Sequence, residues 1–391
     1  MLKKLPVALL ILLFAVTANA QVSRFIIPKY VRLPADSVQS RQLLAALDDF
    51  LSQVPAANNR NTRVLKEDLP ETAALLDEIK NMADGTGADK KDFYKCYLTN
   101  VAAVDSSAFV VQFAYMGVDA PTPLLRASFR LIAKNRGGRF YLCSPFKMNT
   151  IGWQIKKNGS FRFHYNAPVE LSKANYYLKK AMEFDIKLNA PVYNTQIYFC
   201  GNLPNALQLL GVDYKSDYNG LNQGNLSSFE ENTSFQLIGG DPVDPAVLDL
   251  HDLWHDRLHR VISTSIINKP VDEACAYLYG GSWGISWRDI FKRFTTYMGA
   301  NKNWLAAFSE NKNFGDSQRY HLYVSYVINA LIVQQMEKDK GFEAVKELLG
   351  CGRREAGNEN YFRALEKISG INRANFNTRI GKMVADEAAK Y

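Results

Sequence analysis

The stretch from residue 248 to residue 281 reads LDLHDLWHDRLHRVISTSIINKPVDEACAYLYGG. Three of the chain's five histidines, His251, His255 and His259, fall within its first twelve residues. Positions four apart share one face of a helix, so the spacing predicts a helix that brings the imidazoles of His251 and His255 to one point. Asp252 stands beside them. Leu250, Trp254, Leu258 and Val261 form an adjoining apolar stripe that would bury the helix. Pro270 and Asp272 then signal the start of a second helix, and Gly280-Gly281 its end. Glu273 projects from the first turn of that second helix, which can return it to the two histidines. Two histidines and one carboxylate, with a fourth position left for water, form the ligand set of a catalytic zinc site. Zinc in such a site brings the pKa of water to about 7, and an adjacent carboxylate takes the proton. Asp252 is the residue for that role. The same H-x-x-x-H spacing also occurs on helices that merely face solvent, and His259 would extend such a row.

On either side of this stretch the pattern is mixed. Downstream, apolar residues keep a helical period to the C-terminus. Upstream, 160–165, 192–200 and 235–238 read as strands, while 169–188 and 202–210 read as helices. Residues 215–234, KSDYNGLNQGNLSSFEENTS, are rich in Asn, Ser and Gly and read as a long exposed loop. His164, in FRFHY, reads as a surface or packing residue. Trp283 and Trp287 would line a cleft or, more in keeping with large aromatics, pack in a core. Arg319-Tyr320-His321 with Tyr323 and Tyr326 is the richest supply of an oxyanion-stabilising group, although aromatics at this spacing usually pack.

Nearer the N-terminus the period changes. Residues 36–54 and the segment after Pro70 read as amphipathic helices. Residues 94–104, 108–117, 124–134 and 139–146 read as strands separated by turns. Two helices followed by a four-strand meander suggest a small α+β unit resembling the cystatin-like or nuclear-transport-factor-2-like architectures, a likeness that carries no function.

The first twenty residues, MLKKLPVALLILLFAVTANA, have a charged start, an apolar run over 6–16 and an Ala18-Asn19-Ala20 cleavage triplet. That is the pattern of a signal peptide, and the apolar run is too short to span a bilayer. The expected protein is therefore exported, periplasmic or secreted, with no transmembrane segment after cleavage. Cleavage would leave 45 basic against 39 acidic residues, lowering the charge from +8 to +6. No basic stripe interleaved with aromatics accompanies it, so no nucleic-acid partner is expected. At 47% hydrophobic and 12% aromatic, the chain is too apolar for disorder. The five cysteines are far apart. A Cys96–Cys143 bridge and buried free thiols both remain open, and the spacing favours thiols.

HDLWH followed by VDEACAYLYGG resembles the gluzincin metallopeptidases, whose signature is H-E-x-x-H and then a glutamate on the next helix. In the aminopeptidase branch the second segment reads N-E-G followed by an aromatic. Asp272-Glu273-Ala274 occupies that place here, with Tyr277 one turn on. The resemblance covers roughly residues 150–391, with motif content in 251–281. With the readings above it gives an α+β chain: a signal peptide (1–20) and a helix-plus-antiparallel-sheet domain (21–148), both read from the residue pattern, and, as the resemblance implies, a zincin-like domain with a mainly helical C-terminal part (149–391). It implies zinc on His251, His255 and Glu273, Asp252 as base, and a peptide or protein substrate paired along 235–238. The family's base is glutamate, and aspartate withdraws the carboxylate by roughly one bond length, about 1.5 Å. The His–Glu gap is also one residue shorter, and the asparagine before the glutamate is missing. Metal binding survives these departures more easily than hydrolysis. The alternative is a non-catalytic envelope protein, binding or structural, that keeps the fold.

Overall fold

The computed structural model describes residues 23–85, 91–168, 171–241, 247–316 and 318–391. The expected signal peptide and the first two residues of the helix expected at 169–188 lie outside the described residues. The chain is α+β and groups into two compact units. One takes residues up to 65 together with 79–143, and the other takes 66–78 with 144–391.

The first unit is built on helix α1 (Ser37–Ser52) and strands β1 (Lys95–Ala103), β2 (Ala108–Asp119), β3 (Thr122–Arg136) and β4 (Arg139–Cys143). Asp36 caps α1 by accepting the Val38 and Gln39 amides. Leu43, Leu47, Phe50 and Leu51 give the helix one buried face, and it packs against β4. The strands pair in sequence order as an antiparallel meander, with Phe113 opposite Phe129 at its centre. Alternation is clear in β2, where Phe109, Val111 and Phe113 are all buried.

The second unit begins with α2 (Leu69–Ile79), followed by α3 (Phe146–Asn149), β5 (Gln154–Asn158), β6 (Phe161–Tyr165), α4 (Leu171–Leu188), β7 (Asn194–Phe199), α5 (Leu203–Leu210), β8 (Val212–Lys215), β9 (Gly224–Glu230) and β10 (Thr233–Gly239). Its sheet runs β5-β6-β7-β10-β9. The central pairs β6–β7 and β7–β10 are parallel, and the two edge strands are antiparallel. Phe161, Phe163, Ile197, Phe199 and Ile238 join one core with α4, whose Leu178, Ala181 and Phe184 are buried. The rings of Phe146, Tyr198 and Phe235 pack together. His164 is a packing residue, stacked on Tyr198 at 4.0 Å and bonded to Gln196.

Two readings of the sequence change here. The supposed loop at 215–234 contains β9, in which only Leu226 and Ser228 are buried. So little apolar content leaves no alternation to detect. Strand β10 was expected at the sheet edge, but it is hydrogen-bonded to β7 on one side and β9 on the other. No extended peptide can pair along 235–238.

The rest is helical: α6 (Leu250–Val261), α7 (Lys269–Gly280), α8 (Trp287–Met298), α9 (Trp304–Glu310), α10 (Val324–Lys340), α11 (Phe342–Leu349), α12 (Glu359–Ser369) and α13 (Phe376–Ala388). α10 is buried all round over residues 327–333 and packs on α7, α8, α9, α11 and α13. Its buried Asn329 is satisfied, donating to the Ser325 carbonyl and accepting from Tyr361. No helix among the described residues is long and apolar enough to cross a membrane. All five cysteines are free, and Cys96 and Cys143 form no bridge.

Candidate metal centre

Helix α6 starts from Asp249, whose side chain accepts the His251 amide at 2.9 Å. Leu253, Trp254, Arg257 and Leu258 are its buried residues, while Leu250 and Val261 are only half-buried. An arginine thus sits inside the stripe that was expected to be apolar. Its guanidinium lies over Tyr193 at 4.7 Å and Phe161 at 5.3 Å, with Asp185 at 3.6 Å. Burial lowers its pKa to about 10 despite that aspartate. The face adjoining this core carries the histidines, and α7 lies against it. Gly280 permits the approach: a Cβ there would stand 2.6 Å from the His251 nitrogen and the Leu250 carbonyl carbon.

The packing turns three atoms onto one another. His251 Nε2 and His255 Nε2 are 3.2 Å apart. Glu273 Oε2 lies 3.4 Å from the first and 3.9 Å from the second. These edges bracket the roughly 3.3–3.4 Å between corners of a tetrahedron whose arms are 2.0–2.1 Å, the zinc–nitrogen and zinc–oxygen distance. The outer nitrogens fix the tautomers. His251 Nδ1 is 2.8 Å from the Gly281 carbonyl, which can only accept, so Nδ1 carries the hydrogen. His255 Nδ1 is 2.8 Å from Asp272 Oδ1 and donates to it. Both Nε2 lone pairs therefore point inward, toward each other and a carboxylate oxygen. Three such acceptors repel unless a cation or a proton stands between them. The donor set fits zinc.

Asp272 takes three donors. Oδ1 also receives the Trp254 indole N–H at 3.2 Å, and Oδ2 receives His259 Nε2 at 3.1 Å. Burial pushes its pKa up, but the bonds from His255 and His259 outweigh this and hold it down at about 2. Burial also opposes protonation of His251, yet Glu273 and the Gly281 carbonyl prevail and the net shift is upward. His259 is therefore neither a ligand of the triad nor an idle surface residue. His255, His259 and Asp272 make a second close group, with Asp272 as its hub.

A cleft of about 360 Å³ opens beside the triad. His251, Asp252 and Glu273 line it, so the expected base shares a space with two expected ligands. Tyr277, Trp283, His321, Tyr323 and Tyr326 complete the aromatic part of its wall. Tyr277 OH bridges the His321 carbonyl and the Tyr323 amide, both at 3.4 Å. Burial pushes the Tyr277 phenol up, and pushes Tyr326 up to about 12. Of the tyrosines expected to be core, Tyr320 and Tyr326 do pack against it, while Tyr323 and Tyr326 also line the cleft. Trp287 packs instead, donating to Glu387, whereas Trp283 is 59% exposed at the cleft. Trp283 sits in a turn closed by two Ser282–Ile285 backbone bonds, and Trp283 and Gly284 both have positive φ, the type I′ pattern. A tryptophan in that region carries backbone strain of about 1–2 kcal/mol.

Asp272, the Gly281 carbonyl and the Trp254 indole are the functional groups that sequence reasoning missed. Asp272 stood in plain view as the neighbour of Glu273, read only as a helix-start signal. Comparison of the chain with family models, with curated proteins and with solved structures finds no match in any of the three.

Proposed function

We propose that this chain is an exported, zinc-dependent peptidase-like protein of the gluzincin kind, in which His251, His255 and Glu273 hold the metal and Asp252 is the base. One observation carries the reading: two imidazole lone pairs and a carboxylate oxygen meet 3.2–3.9 Å apart while both outer nitrogens are anchored. Anchoring of this kind fixes ring orientation and raises ligand basicity. Zinc bound there supplies a Lewis acid that brings the pKa of water to about 7. Asp252 accepts a proton within the shared cleft, and Tyr326 is the candidate hydrogen-bond donor to the oxygen of a substrate amide. Trp283, more than half exposed at the cleft, gives side chains of a peptide an apolar surface to rest on.

A second reading, a non-catalytic envelope protein that keeps the site, is favoured by β10. The strand expected to pair with peptide is internal, so a peptide adding to this sheet would have to meet an edge strand, β9 or β5. Asp252 in place of glutamate points the same way.

Elemental analysis tests the metal first: one zinc per chain is expected, lost in His251→Ala. Zinc content unchanged in that variant would sink the reading. Chelator-sensitive cleavage of a mixed peptide pool by the parent, abolished in Asp252→Ala, establishes catalysis. Cleavage that appears only in Asp252→Glu identifies the second reading.

A further inference from the structure

A second cavity, of about 520 Å³, lies on the other side of the triad. It shares Lys269 and Glu273 with the cleft, so the two spaces adjoin at the third ligand. Its wall carries His255, His259, Lys269, Arg353 and Arg354. Three of these are permanent cations. The only carboxylates on that wall are already engaged. Asp272 is taken by Trp254, His255 and His259, and Glu273 faces His251 and His255. Lys269 reaches Glu273 only at 3.9 Å and is largely exposed. The Arg353 guanidinium has no hydrogen bond or ion pair among the described residues. Arg354 spends only its Nε, on Asn358 at 3.0 Å.

This cationic wall is held in register with the ligands. Just before the arginines, the Leu349 carbonyl accepts the Asn268 amide at 2.8 Å, and the Gly352 amide donates to the Ile266 carbonyl at 3.0 Å. Asn268 Nδ2 adds a bond to the Gly352 carbonyl at 3.0 Å. Asn268 stands at the N-cap position of α7, the helix that carries Glu273. Arg353 and Arg354 are thus tied, through three hydrogen bonds, to the base of the helix that presents the third ligand.

We propose that this cavity is a carboxylate-binding subsite, so that the preferred substrate is a peptide bearing a negative group beside the bond held at the metal. The inference rests on the reading of the triad as a metal centre. Arginine suits the task, since its planar fork pairs with a carboxylate through two parallel N–H···O bonds. The carboxylate belongs either to an acidic side chain or to a free C-terminus.

Three hydroxamate probes separate these cases on the zinc-loaded full chain. Each carries a malonyl hydroxamate that seeks the metal. The first is joined to glutamine, with a free terminal carboxylate. The second is joined to glutamic acid α-amide, with only a side-chain carboxylate. The third is joined to glutamine α-amide and carries no charge. By titration calorimetry, one charged probe should bind at least about tenfold tighter than the neutral one, the factor a charge-assisted hydrogen bond supplies. Which of the two it is names the source. Arg353→Gln should remove most of the preference and Arg353→Glu should invert it, with zinc content unchanged in both. Equal binding of all three probes to the zinc-loaded protein overturns the subsite, as does a preference that survives Arg353→Glu. Failure of the metal reading looks different: no zinc is retained and no probe binds, which overturns both.

Discussion

Asp272 is where one side chain decides the most. It gathers three N–H donors, two of them from the histidine row, and so sets the direction in which His255 offers its lone pair. Replacing it by asparagine leaves one acceptor oxygen and an amide that cannot serve all three. Asp272→Asn is expected to keep the fold and weaken zinc binding by about 10–100-fold, the range for loss of such an outer partner. Competition against a chromogenic chelator measures it, and unchanged affinity would refute the role. His164 gives a pH prediction away from the site. Burial, countered in part by its bond to Gln196, holds its pKa below the usual 6.5. A histidine kept neutral by folding takes up a proton more readily when unfolded. Its contribution is therefore full above 6.5 and declines as pH falls through the lower folded value. Metal-free protein should lose melting temperature between about pH 7 and about pH 5, and His164→Phe should lose less. Identical losses would count against it.

At the scale of elements, the decisive contact is α6 against α7. Gly280 has no room for a side chain, since its would-be Cβ meets backbone atoms, which cannot rotate away. Gly280→Ala should push α7 outward and cost about 1–3 kcal/mol of stability, as overpacking does. It should also spread the triad and lower zinc affinity, although no ligand is touched. Chelator competition alongside thermal melting separates the two effects, and full zinc affinity would show that the close approach is not needed. These two helices were legible because their signals are local: i, i+4 histidines, Pro270 at the start of α7 and a double glycine at its end. The role of Asp272 was not legible, because it exists only once α7 lies on α6. β9 and β5 escaped notice for a plainer reason. The first buries two residues and the second none, so neither carries the alternation by which strands are read. Arg257 misled in the opposite sense, a charge inside a stripe that the period alone marked as apolar.

For the molecule as a whole, the site belongs to the second unit alone. The three proposed ligands, Asp272, the cleft and the cationic cavity all fall between residues 249 and 354. A metal that binds the folded unit and not the unfolded chain stabilises it by mass action. Zinc at 100 times its Kd should add about 2.7 kcal/mol and raise the melting temperature of that transition by about 5–10 °C. Calorimetry with and without chelator tests this, with His251→Ala as the control that should show no rise. The first unit holds none of these residues, and a transition assigned to it should not move with zinc.

The turn between α7 and α8 joins two properties that are usually tuned apart. Gly281 gives its carbonyl to His251, and two residues later Trp283 stands over the cleft on a strained backbone. Whatever leans on the indole also leans on the peptide group that aims the imidazole. For the proposed metal, thermodynamic reciprocity equates any bias it exerts on the rim with the bias the rim exerts on it. On the proposed reading, a sequence change that retunes what the rim touches is also expected to change how firmly the metal is held, so that the two do not drift independently.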